Sequence, residues 1–510
     1  MMCDFAREAH HRLWWEHIKN KEWQPIIMSN ISVLRYLSQC SVAFIGFWAV
    51  HPALGAESPS KVSSSVVQPV SAVTAANDQA FAEDLEHKTF DWFWDYGVSH
   101  NGLVPDRAPL PHGAASIASV GFGLTAYGIG VERGYVTRDQ AVERTLTTLR
   151  FLSRLPQGEA ATGTAGNHGF FYHFLDPETG LRVAPWSELS SIDTALLMGG
   201  VLFAQSYYDH SSAQEGEIRS LAEALYRRVD WRWMKNHGPW LSMGWTPEHG
   251  FLPADWKGYN EGLLIYILAL GAPDHALAPE TWHQWTATYD AQWGEFQGRK
   301  FLNFAPLFGH QYSESWIDFR GLQDDFNRQH HTDYFQNSRE AVYAQKSYAQ
   351  HNPGNWKDYG DTIWGLTASD GPGDATQPYK GEARHYLAYS ARGAGKDYVL
   401  DDGTIAPTAA GGSVAFAPEI ALPALKAMKQ RYGDRLYGRY GFADAFNPSF
   451  KTEKGMWVDG QQIGIDQGPI VIMLENWRSG FVWNVMKKNP FIRQGLHRAG
   501  FTGGWLDKAP

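Results

Sequence analysis

From Asp78 onward, apolar residues recur every three or four positions, the period of a helix with one buried face. Asp78 to Tyr96 carries Phe81, Leu85, Phe90, Phe93 and Trp94 in this manner. Thr137-Arg-Asp-Gln140 is a capping box ahead of Val142, Leu146, Leu149 and Leu152, and Pro156 closes the helix it starts. The same period predicts helices near 189–208, 215–230, 258–271, 279–293, 335–350, 415–431 and 466–484, with weaker ones near 116–131, 312–327 and 381–392. Strand signals are few and short. Loops rich in Gly, Pro, Trp and Asp separate the helices at 101–115, 235–257, 353–380, 398–414 and 441–464. Long loops in a compact chain are either functional or disordered, and the aromatic content of these argues for function. About a dozen helices with elaborate loops on one side predict an all-α fold, an (α/α)6 toroid, formed by one domain over 78–510. No short repeat of the solenoid kind is present.

The chain ahead of that domain is patterned differently. Val42 to Val50 is a short apolar run, preceded by Arg35 and followed by the small residues Ala53, Gly55 and Ala56. This is the layout of a secretory signal peptide, expected over 28–56 with a start at Met28. Residues 1–27 are ordinary polar sequence, consistent with a start-site artefact. Residues 57–77, rich in Ser, Val, Pro and Ala, are expected to be a linker. The run is short for a membrane span, so an uncleaved anchor is the alternative and stable insertion of the mature chain is not expected. Export to the periplasm or beyond, in a bacterium, follows as an expectation.

Composition narrows the chemistry. The 510 residues are 44% hydrophobic, ample for a large core. Both cysteines, Cys3 and Cys40, precede the mature domain, which therefore has no disulfide, thiol nucleophile or Cys metal site. The net charge is −10, and −11 once residues 1–56 are removed; this argues against nucleic acid or a polyanionic substrate and suits a neutral ligand. Of 22 tryptophans, 18 lie beyond the signal. Such an excess serves either sugar-ring stacking or the filling of a helical core.

Glycosidic cleavage uses two carboxyl groups flanking the scissile bond, so acids set among aromatics and glycines are the candidates. Glu261, in Trp256-Lys-Gly-Tyr-Asn-Glu261-Gly-Leu-Leu-Ile, opens an apolar helix after an aromatic loop. It is either an acid whose pKa is raised by apolar neighbours or a residue placed for the helix dipole. Asp466, in Asp459-Gly-Gln-Gln-Ile-Gly-Ile-Asp466-Gln-Gly-Pro, precedes another apolar helix and is a second candidate or an N-cap, with Asp459 as an alternative. Glu188 and Asp193 follow Trp186; their five-residue spacing does not put them squarely on one helical face, and Asp193 needs a partner or a substrate hydroxyl. Asp370, beyond Trp364, is a loop acid that turn chemistry alone would also explain. Asp318 and Arg320, beside Trp316, pair with each other or grip hydroxyls. His330-His331-Thr-Asp333 lacks the spacing of a zinc motif, and no metal or other cofactor is expected. Phosphate-binding, dinucleotide-binding and Gly-x-Ser-x-Gly motifs are absent from the sequence.

Taken as an ordered set, several strings resemble the glucoamylase-like domain family. They are Ser116 to Leu124, Gly169-Phe-Phe-Tyr-His-Phe-Leu-Asp176, Glu188 to Leu197, Gly258-Tyr-Asn-Glu261, Tyr312 to Arg320, Trp364 to Pro372, Gly403 to Thr408, Phe416 to Glu419 and Ile465-Asp-Gln-Gly-Pro469. The resemblance covers about residues 80–485. It implies glycoside hydrolase family 144, the bacterial endo-β-1,2-glucanases, and touches the transglycosylating domain of cyclic β-1,2-glucan synthases. It further implies an (α/α)6 barrel, inversion at the anomeric centre, sophoro-oligosaccharide products and no metal. On the matching strings Glu261 would be the general acid and Asp466 the base, acting directly or through a water chain. Glu188, Asp193, Arg320 and Asp370 would line subsites with Trp186, Trp316 and Trp364. The chain departs from the family's pattern at Glu314, where relatives often carry His; a Glu314 facing the cleft would alter subsite preference or the reaction outcome.

The resemblance thus implies action on β-glucan, and a monomer is expected. The rivals are a transglycosylase on the same glucan, a glycan-binding protein without turnover and a toroidal polysaccharide lyase, the last poorly served by an acidic chain. Nothing in residue spacing separates the β-1,2 linkage from other β-glucans.

Overall fold

In a computed structural model of the chain, residues 72–508 are described, apart from 111, 112, 184 and 397. The expected extension, the signal peptide and most of the linker lie outside the described residues. The first helix, α1 (Ala72–Tyr96), begins six residues inside the segment expected as linker. Helices dominate the rest of the chain: α2 (Ile117–Glu132), α3 (Arg138–Arg154), α4 (Ser191–Tyr207), α5 (Ala213–Arg227), α6 (Gly262–Gly271), α7 (Glu280–Thr286), α8 (Phe308–Trp316), α9 (Tyr334–His351), α10 (Pro407–Gly411), α11 (Pro418–Tyr432), α12 (Gly464–Ser479), α13 (Phe481–Met486) and α14 (Pro490–Arg498). No helix among the described residues is long and apolar enough to cross a membrane.

Two kinds of helix are present. All ten residues of α6 are buried, as is nearly all of α2 and α4. A helix apolar on every side must be enclosed by others. Helices α3 and α5 bury one face only and carry charge on the other. The enclosed helices pack in a circuit, α2 on α4, α4 on α6, α6 on α8, α8 on α12 and α12 back on α2, while α3, α5, α9 and α14 cover them. Helices α2 and α4 meet backbone to backbone: a Cβ on Gly200 would stand 2.0 Å from the Gly121 carbonyl oxygen, so both positions require glycine.

Short strand pairs lead into the enclosed helices. Ala115–Ser116 pairs with Phe174–Leu175 before α2, Leu189–Ser190 pairs with Gly244–Thr246 before α4, and Gln462–Ile463 pairs with Arg107–Ala108 before α12. The serines at two of these junctions, Ser116 and Ser190, cap α2 and α4. The ladders hold the starts of these helices, and the loops that precede them, in register.

Several elements differ from the sequence reading. Residues 381–392, expected as a helix, instead begin as the second arm of a hairpin of Ala375–Tyr379 with Glu382–Tyr386, and Ser390–Ala391 then pairs with Ala368–Ser369. Its two turn residues, Lys380 and Gly381, have φ of 52° and 86°, the left-handed pair that a tight hairpin requires. The helix expected over 279–293 stops at Thr286, and Gln297-Gly298 turns a second hairpin of the same kind. The expected helix 312–327 becomes α8, an extended segment and a short helix, Asp325–His330. The expected helix 466–484 is broken into α12 and α13 at Gly480, where φ is 68°. Helix α14 has no counterpart in the sequence reading; Asn489 caps it and Pro490 occupies its first turn.

Candidate active site

The candidate acids gather at the N-terminal ends of the enclosed helices. Glu261 is the residue immediately before α6, and its side chain makes no capping hydrogen bond. One of its carboxylate oxygens is buried without a partner. Burial raises its pKa to about 7, and the nearby Asp193 charge pushes in the same direction. A capping carboxylate would be pulled down instead, and the Glu261 side chain does not act as a cap.

Asp193 sits in the first turn of α4, where Ser190 Oγ donates to its Oδ2 at 2.5 Å. It meets Glu188 through a residue the sequence reading passed over. His173 Nδ1 lies 2.9 Å from Glu188 Oε1, and its Nε2 lies 3.6 Å from Asp193 Oδ1. Burial alone would lower the His173 pKa, but the two carboxylates outweigh it and hold the ring up to about 9. His173 stacks on Phe174, which leans on the half-buried Trp186. The five-residue spacing of Glu188 and Asp193 was no obstacle: Glu188 precedes the helix, and the imidazole joins the two.

Asp466 lies in the first turn of α12, 2% exposed, with Oδ2 unpartnered. It does not cap the helix; burial raises its pKa to about 7, while a hydrogen bond with the Asp444 carboxyl opposes that rise. Asp370 and Asp444 act on it electrostatically, and Asp459 groups with those two. The backbone N–H of Asp370 donates to Asp444 Oδ2 at 2.8 Å. Arg107 donates to Asp106 at 3.0 Å and to Asp370 at 2.5 Å, and this acidic company raises its own pKa against the effect of burial. Burial, with the charges of Asp444 and Asp370, pushes Asp459 up to about 8. Tyr312 connects the two halves of the site: burial raises its pKa, and the charges of Asp466, Glu261 and Asp193 add to the rise.

Four residues expected along the subsites are placed elsewhere. Trp316 and Trp364 are fully buried. Trp316 donates to Thr125 Oγ1 at 3.0 Å and stacks on Phe122, and Trp364 belongs to the apolar core, so neither presents a face to a sugar. Arg320 follows α8; it forks onto Asp318 with two bonds of 2.7 Å and lies over the Trp483 ring, which is the pairing alternative. Glu314 is buried within the helices, accepting from Ser338 Oγ at 2.5 Å, and its charged neighbours are Asp333, Asp318 and Arg320. It therefore faces α9 and not the Glu261 cleft.

His173, Asp106, Arg107, Asp444, Tyr312 and Tyr389 were missed as site residues. Asp444 did carry a signal: in Phe442-Ala-Asp444-Ala-Phe446 a lone acid interrupts an apolar run, as Asp193 does in α4. Among the described residues, His173, Glu188 and Asp193 form one group whose ligand atoms lie within 4.8 Å of one another, and Asp370, Asp444 and Asp459 form another. Either could in principle hold an ion. The His330 ring packs against Trp293 and Phe326 instead, at 4.3 Å from each.

Fold and site together define a helical protein with a group of buried and half-buried acids at the N-terminal ends of its enclosed helices. Residues 253–490 match the Glycoamylase family model. A provisionally named glucoamylase from Bacteroides uniformis is 32% identical, with a TM-score of 0.74 over 84% of this chain and 99% of that one. The endo-β-1,2-glucanase of Chitinophaga pinensis, solved with sophorotriose and glucose, is 29% identical, with a TM-score of 0.72 over 84% of this chain and 99% of that one. An exo β-1,2-glucooligosaccharide sophorohydrolase of Parabacteroides distasonis is 26% identical over 89% of this chain, which spans 62% of that relative's length. The chain belongs to the glucoamylase-like family.

Proposed function

We propose that this protein is a glycoside hydrolase that cleaves β-1,2-glucan, endo-acting and inverting, in an (α/α)6 barrel. The observation that carries this reading is the pair of buried carboxyls, Glu261 and Asp466, each with a free oxygen and each held near neutrality, with Tyr312 in electrostatic reach of both. Protonated Glu261 gives its proton to the glycosidic oxygen as the bond to the anomeric carbon breaks. A water attacks that carbon from the opposite face and loses its proton to Asp466, directly or through a chain of waters. One glycosidic bond and one water become two chain ends, one of them reducing. Glu188, Asp193 and Asp370 hold sugar hydroxyls, and Trp186 offers an apolar face. The β-1,2 linkage rests on the names of the Chitinophaga and Parabacteroides relatives, and the closed packing circuit of enclosed helices supports a barrel of the α/α type. Action outside the cytoplasm belongs to the same proposal and rests on the sequence of residues 28–56.

Product analysis on linear β-1,2-glucan, with reducing ends counted in the same reaction, tests it. New reducing ends with short sophoro-oligosaccharides are expected. Altered chain lengths without new reducing ends would replace hydrolysis with glycosyl transfer, and no turnover at any enzyme concentration would leave a binding protein.

A further inference from the structure

Glu261 is held by its backbone and not by its carboxyl. The side chain caps nothing, and its Oε2 is buried without a partner. The peptides on either side of it are gripped instead. The Gln292 amide pairs with both polar groups of the Tyr259 backbone: the Tyr259 N–H donates to Gln292 Oε1, and Gln292 Nε2 donates to the Tyr259 carbonyl at 2.9 Å. The neighbouring Gly258 has φ of 71°, and a Cβ there would collide with Gln292 Oε1, so the approach of the amide requires glycine as well. Gln292 is itself fixed. Its carbonyl accepts from the Asn303 N–H at 2.9 Å and from Asn303 Nδ2 at 3.2 Å. Asn303 Nδ2 also reaches Gly294 O and Phe301 O across the hairpin of Trp293–Phe296 with Arg299–Leu302. On the other side of Glu261, the buried Ser313 of α8 enters the first turn of α6. Its Oγ donates to the Glu261 carbonyl at 3.1 Å and accepts from the Leu264 N–H at 3.0 Å, within a turn whose own bond, Leu264 N–H to Glu261 O, is 3.3 Å long.

We propose that Gln292 and Ser313 are positioning residues for Glu261: bonded to the backbone on either side of it, they aim its carboxyl at the glycosidic oxygen and leave that carboxyl free to carry and release the proton. A hydrogen bond to the carboxyl itself would favour one protonation state over the other and so oppose the transfer. Bonds to the backbone fix direction without that bias. Direction matters, because a misplacement of about 1 Å in a catalytic group can lower a rate by about 100-fold.

This inference rests on the hydrolase reading, and its test has one readout that needs no turnover. A proton from Glu261 is needed by a sugar leaving group and hardly at all by dinitrophenolate, which departs unprotonated. Gln292→Met removes both amide bonds at nearly equal volume, and Ser313→Ala removes the hydroxyl. On linear β-1,2-glucan kcat is expected to fall by about 100-fold in Gln292→Met and by about tenfold in Ser313→Ala, with KM little changed. On the dinitrophenyl β-glycoside of sophorotriose both variants should keep kcat within about twofold of the parent. Equal losses on the two substrates overturn the proposal, since a general loosening of the fold slows both, and so does full activity on the glucan. Crystal structures of the parent and of Gln292→Met read the Glu261 carboxyl directly, and a displacement of about 1 Å or more is expected. An unmoved carboxyl overturns the proposal whatever the activity. If the parent cleaves neither substrate the hydrolase reading falls, and a displaced carboxyl still upholds the positioning of Glu261 by Gln292.

Discussion

Arg107 Nη1 donates to Asp370 Oδ2 at 2.5 Å, joining residues 263 positions apart in the chain. The bond ties the loop ahead of α2 to the loop that reaches Asp444 and Asp466. Removing the guanidinium leaves the acids without their cation. Arg107→Leu is expected to cost about 3 kcal/mol near neutral pH, the low end for breaking a buried pair because Arg107 keeps some contact with solvent. The cost should shrink as the pH falls and Asp459 and Asp466, pushed up to about 8 and about 7, take up protons. Urea unfolding at about pH 7 and about pH 5 measures both; an equal deficit at the two would refute this account of the cluster.

His173 makes a stability contribution of opposite pH sense to that of an ordinary paired carboxylate. Its folded pKa, about 9, lies above the usual value of 6.5. The stabilisation is therefore complete below about pH 6.5 and is lost as the pH rises through about 9. His173→Gln should be less stable than the parent by about 2 kcal/mol at mildly acidic pH, and the gap should close in alkali. Thermal unfolding across that range reads the difference, and a gap that widens in alkali would show that the ring is not held protonated.

Glu261 and Asp466 both titrate near 7, so kcat/KM is expected to follow a narrow bell centred close to neutrality. Glu261→Gln and Asp466→Asn should each lower kcat by at least about 100-fold while glucan binding, measured calorimetrically, persists. A second effect has a definite sign. The Glu261 pKa is raised on folding, so ionisation costs stability from about 4.5 upward, and the full cost is reached above about 7. Glu261→Gln should thus be more stable than the parent by about 2 kcal/mol in mild alkali and equal to it in acid. Near-normal turnover in Glu261→Gln would end the assignment of Glu261.

Burial holds the Glu314 carboxyl well above its ordinary pKa, and Ser338 is its hydrogen-bond donor. The protonated acid and a glutamine are close isosteres. Glu314→Gln is expected to change stability by less than about 1 kcal/mol at neutral pH and to leave the product distribution unaltered. Glu314→Ala opens a cavity and should cost about 2 kcal/mol or more. A changed product pattern in Glu314→Gln would place Glu314 in the cleft after all.

The legible part of the site was the part encoded near in sequence. Glu261 and Asp466 stand out because each opens an apolar helix, and Asp193 because it interrupts one. Trp316 and Trp364 show the limit: a tryptophan suited to a sugar face and one suited to the core look alike along the chain, and only packing sent both inside. The hairpin at Lys380-Gly381 shows a related limit, since a weak helical period over 381–392 was overridden by a tight turn and its cross-strand pairing.

By itself the sequence determined the helices whose signals are local: the one that the capping box at Thr137 starts, and those of α2, α4 and α6. Helix formation depends on contacts within a few residues, so these survive being read one segment at a time. The tertiary structure alone decided that His173 would join Glu188 to Asp193, that Arg107 would hold Asp370, and that the Asp370 N–H would donate to Asp444. The charge state of each depends on burial and on partners brought in by distant loops. No spacing along the chain encodes either quantity.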